Sequence, residues 1–151
     1  MSPEKLFHEL LGLGEHWYVT QVEYIKGHSS EVRIVIKEKD SLFSQLKCAV
    51  EGADVGCYDH GKTRTWRHLN IFQHNCYIEC RLPRIRCKSC GKITTVKPSW
   101  EGKLKGFTTL FEAFALTLMR EMPVNAAGRI LGEHDTRLWR LLDAYVQPAY
   151  G

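Results

Sequence analysis

Beyond a short N-terminal helical stretch, the hydrophobic pattern of this chain changes from period two to period 3.6 across "PSWEGKLKG" (98–106), and that change limits what the chain can fold into. Before it, apolar and polar residues alternate in short runs; after it, apolar residues recur every three or four positions. A period of two belongs to strands covered on one face, a period of 3.6 to helices packed on one side. Pro98, Gly102 and Gly106 punctuate the change and place a boundary there. The pattern therefore predicts an α+β chain with an N-terminal helix and β-hairpin (1–40), a small antiparallel β domain (41–105) and a three-helix domain (106–151). A length of 151 residues suits one ordinary domain or two small ones.

Within the first block, Pro3 to Leu11 reads as a short amphipathic helix capped by Ser2 and ended by Gly12 and Gly14. "WYVTQVEYIKG" and "SEVRIVIKE", joined through "GHSS", read as a hairpin, with Val32, Ile34 and Ile36 on one face. Cys48 to Gly61 has turn residues but no period, so it reads as an irregular loop. "TRTWRHLNIF" and "HNCYIECRL" are two further strands, the second placing Phe72, His74, Cys76, Ile78, Cys80 and Leu82 on one face. After the boundary, Phe107 to Glu121 is a helix with Leu110, Phe111, Phe114, Leu118 and Met119 inward. A second helix follows with Val124, Ala127, Ile130 and Leu131 on its face, closed by Gly132. A third has Leu138, Trp139, Leu142 and Val146 on its core face and Pro148 after its end. Two helices joined by a tight glycine turn, with a third before them, have the outline of a helix-turn-helix domain.

The strongest chemical signal is "RCKSCGK". Cys87 and Cys90 have the spacing that fills two corners of a zinc tetrahedron, and Gly91 lets the backbone turn around the ion. A redox dithiol would open a helix, whose N-terminus lowers a thiol pKa, but "KITTVKP" reads as a strand. Two ligands must then come from elsewhere, and Cys48 with Cys57, in the turn-rich loop, are the first choice. Their spacing is loose, because Glu51 stands where a second cysteine of Cys-x-x-Cys-Gly would stand; Glu51, Asp54 or one of His60, His68 and His74 are the alternatives. Cys76 and Cys80, four residues apart in one strand, lie about 13 Å from each other and read as core thiols.

Charge is unevenly spread. Residues 1–60 carry 6 basic and 10 acidic side chains, 61–105 carry 11 and 2, and 106–151 carry 4 and 5. A positive middle third suits a polyanion. No run of apolar residues is long enough for a membrane span, and the N-terminus lacks the parts of a signal peptide, so a soluble cytoplasmic protein without a membrane partner is expected. Thiols in that compartment act as metal ligands or core residues rather than disulfides.

With these residues laid out, the chain resembles the N-terminal part of insertion-sequence transposases of the ISL-three family. The resemblance rests on Tyr58-Asp59-His60, Arg64-Thr65-Trp66-Arg67-His68-Leu69, the Pro83-Arg84-Ile85-Arg86-Cys87 approach to the knuckle, Met122-Pro123-Val124 and Leu138-Trp139-Arg140. It implies a zinc-ribbon-like domain followed by a helix-turn-helix domain, gripping the inverted repeats at the ends of the element. A DDE-type nuclease domain follows in that family. The converging carboxylates of two-metal strand transfer belong to that domain, so this chain is expected to bind DNA without catalysis of its own.

On that reading the helix from His134 to Tyr145 enters the major groove, with Arg137 and Arg140 for base edges or phosphates and Arg129 bracing the helix before it. Arg64, Arg67, Arg84, Arg86, Lys88 and Lys92 hold phosphates. Trp66 and Trp139 read as core anchors. The expected partner is double-stranded DNA at transposon ends, with a homodimer or a full-length transposase as protein partner. The rival class is a protein-interaction module that pairs with a full-length transposase and regulates it.

Overall fold

The computed structural model describes residues 2–27, 30–50 and 52–150, the last four in backbone only. The chain is α+β: a five-stranded sheet, then a block of helices. Ser2 accepts the Lys5 N–H at 3.2 Å and starts α1 (Pro3–Leu11), and Gly12, at φ 62°, ends it. β1 (Trp17–Ile25) and β2 (Glu31–Glu38) form the antiparallel hairpin; His28 and Ser29 of its "GHSS" turn lie outside the described residues. A short helix, α2 (Ser41–Gln45), precedes β3 (Val55–Ile71), β4 (His74–Cys87) and β5 (Ile93–Thr95).

The sheet corrects the expectation of a purely antiparallel β domain. Strand order is β1-β2-β4-β3, with β5 on the end of β4, and β2 runs parallel to β4. Val32, Ile34 and Ile36 face Cys76, Ile78 and Cys80 across that pairing, and all six are buried. The two covered faces are thereby merged into one. A parallel pairing joins strands remote in sequence, and hairpin signals carry no information about it. The N-terminal hairpin and the cysteine-bearing strands, which read as separate units in the sequence, consequently share one sheet and one hydrophobic cluster.

The stretch that reads as an irregular loop is a loop only as far as Asp54. β3 begins at Val55, opposite Cys87, and absorbs its glycines and polar residues through register shifts between Cys57 and Asp59 and between His60 and Thr63. Phe72, inward by strand alternation, instead sits on the β3–β4 turn at φ 55° and is almost fully exposed.

Trp100 belongs to the sheet core, though it lies in the stretch where the period changes. It packs edge-on against Trp17 and Trp66, with ring centroids 4.9 and 5.5 Å apart. A second cluster gathers Phe107, Phe111, Ala115, Ala127, Leu131, Leu138 and Leu141 from α3 (Thr109–Glu121), α4 (Val124–Leu131), α5 (Asp135–Tyr150) and the segment leading into them. On all three helices the buried arc is rotated from the expected one. Leu110, Phe114, Ile130, Trp139 and Val146 are exposed, and α5 continues past Pro148. On α5, Leu138, Leu141 and Tyr145 follow i, i+3, i+7 spacing, which puts Trp139 about 100° away from the core.

Gly132, at φ 70°, caps α4, and Gly128 lets α5 pass close. A Cβ there would stand 2.8 Å from the Glu133 carbonyl oxygen and 3.0 Å from Asp135 Oδ1. No helix among the described residues is long and apolar enough to cross a membrane.

Candidate metal centre and nucleic-acid interface

The structure brings three sulfur atoms together at the far end of β4. Cys48, Cys87 and Cys90 offer Sγ atoms that all lie within 4.8 Å of one another, Cys48 and Cys90 at 3.8 Å. With zinc–sulfur bonds of about 2.3 Å, the edge of a tetrahedral site is also about 3.8 Å. Two loops supply the sulfurs and share one backbone plan. In the second, Cys87 N–H donates to the Lys92 carbonyl and Gly91 N–H to the Cys87 carbonyl, with Gly91 at φ 77°. In the first, Cys48 N–H donates to the Ala53 carbonyl and Gly52 N–H to the Cys48 carbonyl, with Gly52 at φ 69°. Both loops need glycine in the left-handed region to close around the cluster.

Backbone N–H groups of Ser89 and Cys90 point at Cys87 Sγ, each at 3.4 Å. Donation from Cys90 above all, then from Ser89, favours the thiolate and lowers the Cys87 pKa to about 7. Cys76 and Cys80 are the opposite case. Burial raises them to about 11 and about 12, which suits core thiols rather than ligands. Three sulfurs within 4.8 Å, one pair of them at the edge length of a tetrahedral site, with donors already aimed at Cys87, fit a zinc ion.

Cys57, expected as the fourth sulfur, is not brought to the other three. It is held within β3 opposite Ile85, exposed, with Sγ 3.9 Å from the Asp59 carbonyl oxygen, and burial of its thiol raises its pKa. The alternatives are also placed. Asp54 pairs with Lys47, His60 with the buried Glu38, His68 with Thr108 at 2.8 Å, and His74 packs edge-on against Tyr24. Glu51 lies outside the described residues.

The nine basic residues expected to hold DNA fall into three groups. Arg86, Lys88, Lys92, Arg129 and Arg140 are exposed and carry no ion pair among the described residues. Arg64 and Arg84 are partly committed, Arg64 to Glu101 and the Trp66 ring, Arg84 to both Asp59 oxygens and the Tyr58 ring. Arg67 and Arg137 meet at Glu133, Arg67 in the interior and Arg137 at its edge. Arg67 is only 2% exposed; it donates to the Leu131 carbonyl at 2.8 Å and to Asn75 at 3.2 Å, and stands 3.5 Å from Glu133. No phosphate reaches it, because the turn between α4 and α5 closes over its strand position. Arg137 bonds Glu133 at 3.0 Å and lies over the Phe107 ring at 4.1 Å, so its guanidinium is held against the helical cluster while over a third of the side chain stays exposed.

Sequence reasoning missed the exposed Trp139, whose 56% exposure places it beside Thr136, Arg140 and Asp143 on the outward face of α5. The i, i+3, i+7 arc through Leu138, Leu141 and Tyr145 was the available signal. Glu112 was missed too. Fully buried, it accepts N–H donation from Lys103 and Leu104 and the Tyr145 hydroxyl, and burial with that bond raises the tyrosine to about 12.

A sheet that ends in a sulfur cluster and leads into three helices with a glycine-capped turn has the outline of a zinc-finger unit followed by a helix-turn-helix unit. Residues 48–90 match the zinc-finger of transposase IS204/IS1001/IS1096/IS1165, and residues 96–146 match the helix-turn-helix domain of transposase family ISL3. The chain thus carries the zinc-finger and helix-turn-helix regions of ISL3-family transposases. It is also similar to the transposase for insertion sequence element IS1557 from two strains of Mycobacterium tuberculosis, at 24% identity over 149 residues, covering 92% of this chain and 33% of the relative. The chain spans about a third of the length of these curated relatives. No solved structure matches it.

Proposed function

We propose that this chain is the end-binding part of a DDE-type transposase, gripping the terminal inverted repeats of an insertion sequence while strand transfer falls to a nuclease domain outside this sequence. The observation that carries the reading is the outward face of α5, where Thr136, Trp139 and Arg140 stand clear of the helical core in the first turns of the second helix after a glycine-capped turn. A recognition helix meets base edges with such N-terminal positions. Arg140 is suited to a guanine edge or a phosphate, and Trp139 to the methyl group of thymine or the sugar wall. Arg86, Lys88 and Lys92, at the knuckle, hold backbone phosphates. Zinc on Cys48, Cys87 and Cys90 ties the two knuckle loops together so that these basic residues keep one arrangement.

The test is binding to a duplex carrying the parent element's terminal repeat and to a scrambled duplex, by fluorescence anisotropy over a range of salt. A preference of about a thousandfold with a steep salt slope is expected. Arg140→Ala should erase most of the preference, whereas Arg137→Ala should act on stability through Glu133. Equal, weak binding to both duplexes overturns the reading. It would favour instead a module that pairs with a full-length transposase through the exposed apolar flank of Trp139 and Val146.

A further inference from the structure

Between the sheet and α3 the chain runs through Lys97–Gly106, where Lys97, Lys103 and Lys105 meet a single acidic residue, Glu101. All three lysines are exposed. With Arg64, Glu101 and Gly102 they line an open depression of about 530 Å³. Glu101 is already engaged, at 2.5 Å from Arg64 Nη2 and 3.4 Å from Trp66 Nε1. Lys103 Nζ stands 4.4 Å from the centre of the Tyr145 ring, and none of the three ammonium groups has a carboxylate partner among the described residues. Three unneutralised cations around one hollow repel each other and select a polyanion.

Lysines on a loose tether would forfeit most of that advantage to ordering. This strip is not loose. Glu112 accepts the backbone N–H groups of Lys103 at 2.8 Å and Leu104 at 2.7 Å, and Gly102 N–H donates to the Phe107 carbonyl at 2.9 Å. Trp100 anchors the same strip in the sheet core, and its carbonyl accepts the Thr109 N–H at 3.0 Å. Gly102 is required for the arrangement, because a Cβ there would lie 2.3 Å from the Glu112 carboxylate. The lysines are therefore presented from a backbone that is already ordered, which lowers the entropic cost of binding.

We propose that this strip, buckled by Glu112, is a phosphate-binding surface for duplex DNA, holding the sugar-phosphate backbone between the groove read by α5 and the basic end of the sheet. It rests on the DNA-binding reading given above and extends it to residues outside both the knuckle and the recognition helix. The strip thus acts as a strut that carries charge, rather than as a spacer.

The experiment compares the full chain with Lys97→Gln/Lys103→Gln/Lys105→Gln, titrating salt against the repeat duplex and the scrambled duplex. Each lysine–phosphate pair that is removed lowers the slope of log K against log salt by about 0.9. The slope of the triple variant should therefore be shallower by about 2 to 3. The variant should also bind both duplexes more weakly and to the same degree, keep the wild-type preference ratio, and keep its circular dichroism, since the replaced side chains are exposed. Gly102→Ala removes no charge but crowds Glu112, and should reduce the slope in the same direction. A wild-type slope in the triple variant overturns the strip while leaving the DNA reading intact. Absence of salt-dependent DNA binding in the wild type overturns both.

Discussion

Where β4 runs out at Cys87, the loops around it are organised by three sulfur atoms; ten residues back, opposite Tyr77, Arg67 of the partner strand is sealed beneath the helices by oxygen acceptors. The two places are roughly 30 Å apart along one ladder, and they are held by different physics. The sulfur end lies at the margin of the sheet core, through Val55, Ile85 and the buried Cys48 and Cys87. Its loops are closed by glycines in the left-handed region and by ligands that an ion would join. The helical end holds a polar network over buried Arg67: Glu133 pairs with it from the α4–α5 turn and with the partly exposed Arg137, while buried Glu112 accepts a separate bond from Tyr145. A ligand-held end opens when the ion leaves. A network end gives way only when one member is removed and the others stay buried without partners.

Five measurements test the contrast between the two ends. The largest effect is expected from Cys87→Ser, which should abolish tight uptake of zinc or cobalt and loosen residues 48–92, with the helices still folded, as hydrogen exchange would report. The wild-type affinity should itself fall as pH drops below about 7, because the Cys87 thiol, lowered to about 7 by its N–H donors, must be ionised to bind. Unfolding of the helices along with release of the metal would show that the two ends are one cooperative unit.

Next, Arg67→Ala should cost about 3–5 kcal/mol in urea unfolding, the cost of breaking a buried charge pair, and leave cobalt uptake unchanged. Weakened uptake in that variant would couple the ends and defeat the comparison.

His68 gives the helical end an acid limit of its own. Burial, and then the neighbouring Arg67 charge, lower its pKa from 6.5 to about 4. The folded state therefore disfavours the protonated ring. Stability should be undiminished above about pH 6.5 and decline as pH falls toward 4, by roughly 3 kcal/mol over that window. His68→Gln, followed by thermal melting at pH 7 and pH 4.5, should flatten this decline; an equally steep decline would assign the acid sensitivity elsewhere.

The smallest effect concerns the turn between β3 and β4, near the helical end. Phe72 has φ 55° and its side chain is exposed, so Phe72→Gly should stabilise the fold by about 1 kcal/mol by removing the left-handed penalty. A destabilised variant would mean that the phenyl ring packs in a way that outweighs the backbone.

How much is legible in the sequence depends on the range of the interaction. The Cys87, Cys90 and Gly91 turn can be read because a knuckle is a local object, set by four residues and one positive φ. Cys57 cannot be excluded from the sequence, because its distance from that knuckle depends on where β3 starts. Arg64 and Arg67, three apart in one strand, fall on opposite faces, and alternation alone does not tell which of the two is covered. Only the docking of the α4–α5 turn onto β3 buries one of them and leaves the other at the rim. The helices are legible as helices, yet Leu110, Phe114, Ile130 and Trp139 read as inward because an apolar arc wider than the surface it covers does not reveal its centre.

By itself, then, the sequence determined what is local: the change from period two to period 3.6, the Ser2 and Gly132 caps, the metal-type spacing of Cys87 and Cys90, and the positive middle third. Each follows from backbone geometry or composition within one turn or one strand. The tertiary structure alone decided which remote pieces meet. It set β2 parallel to β4, brought Cys48 rather than Cys57 to the knuckle, buried Arg67, turned Trp139 outward and buckled the lysine strip onto Glu112. Those outcomes depend on how whole surfaces exclude water together, and no short window of sequence contains that information.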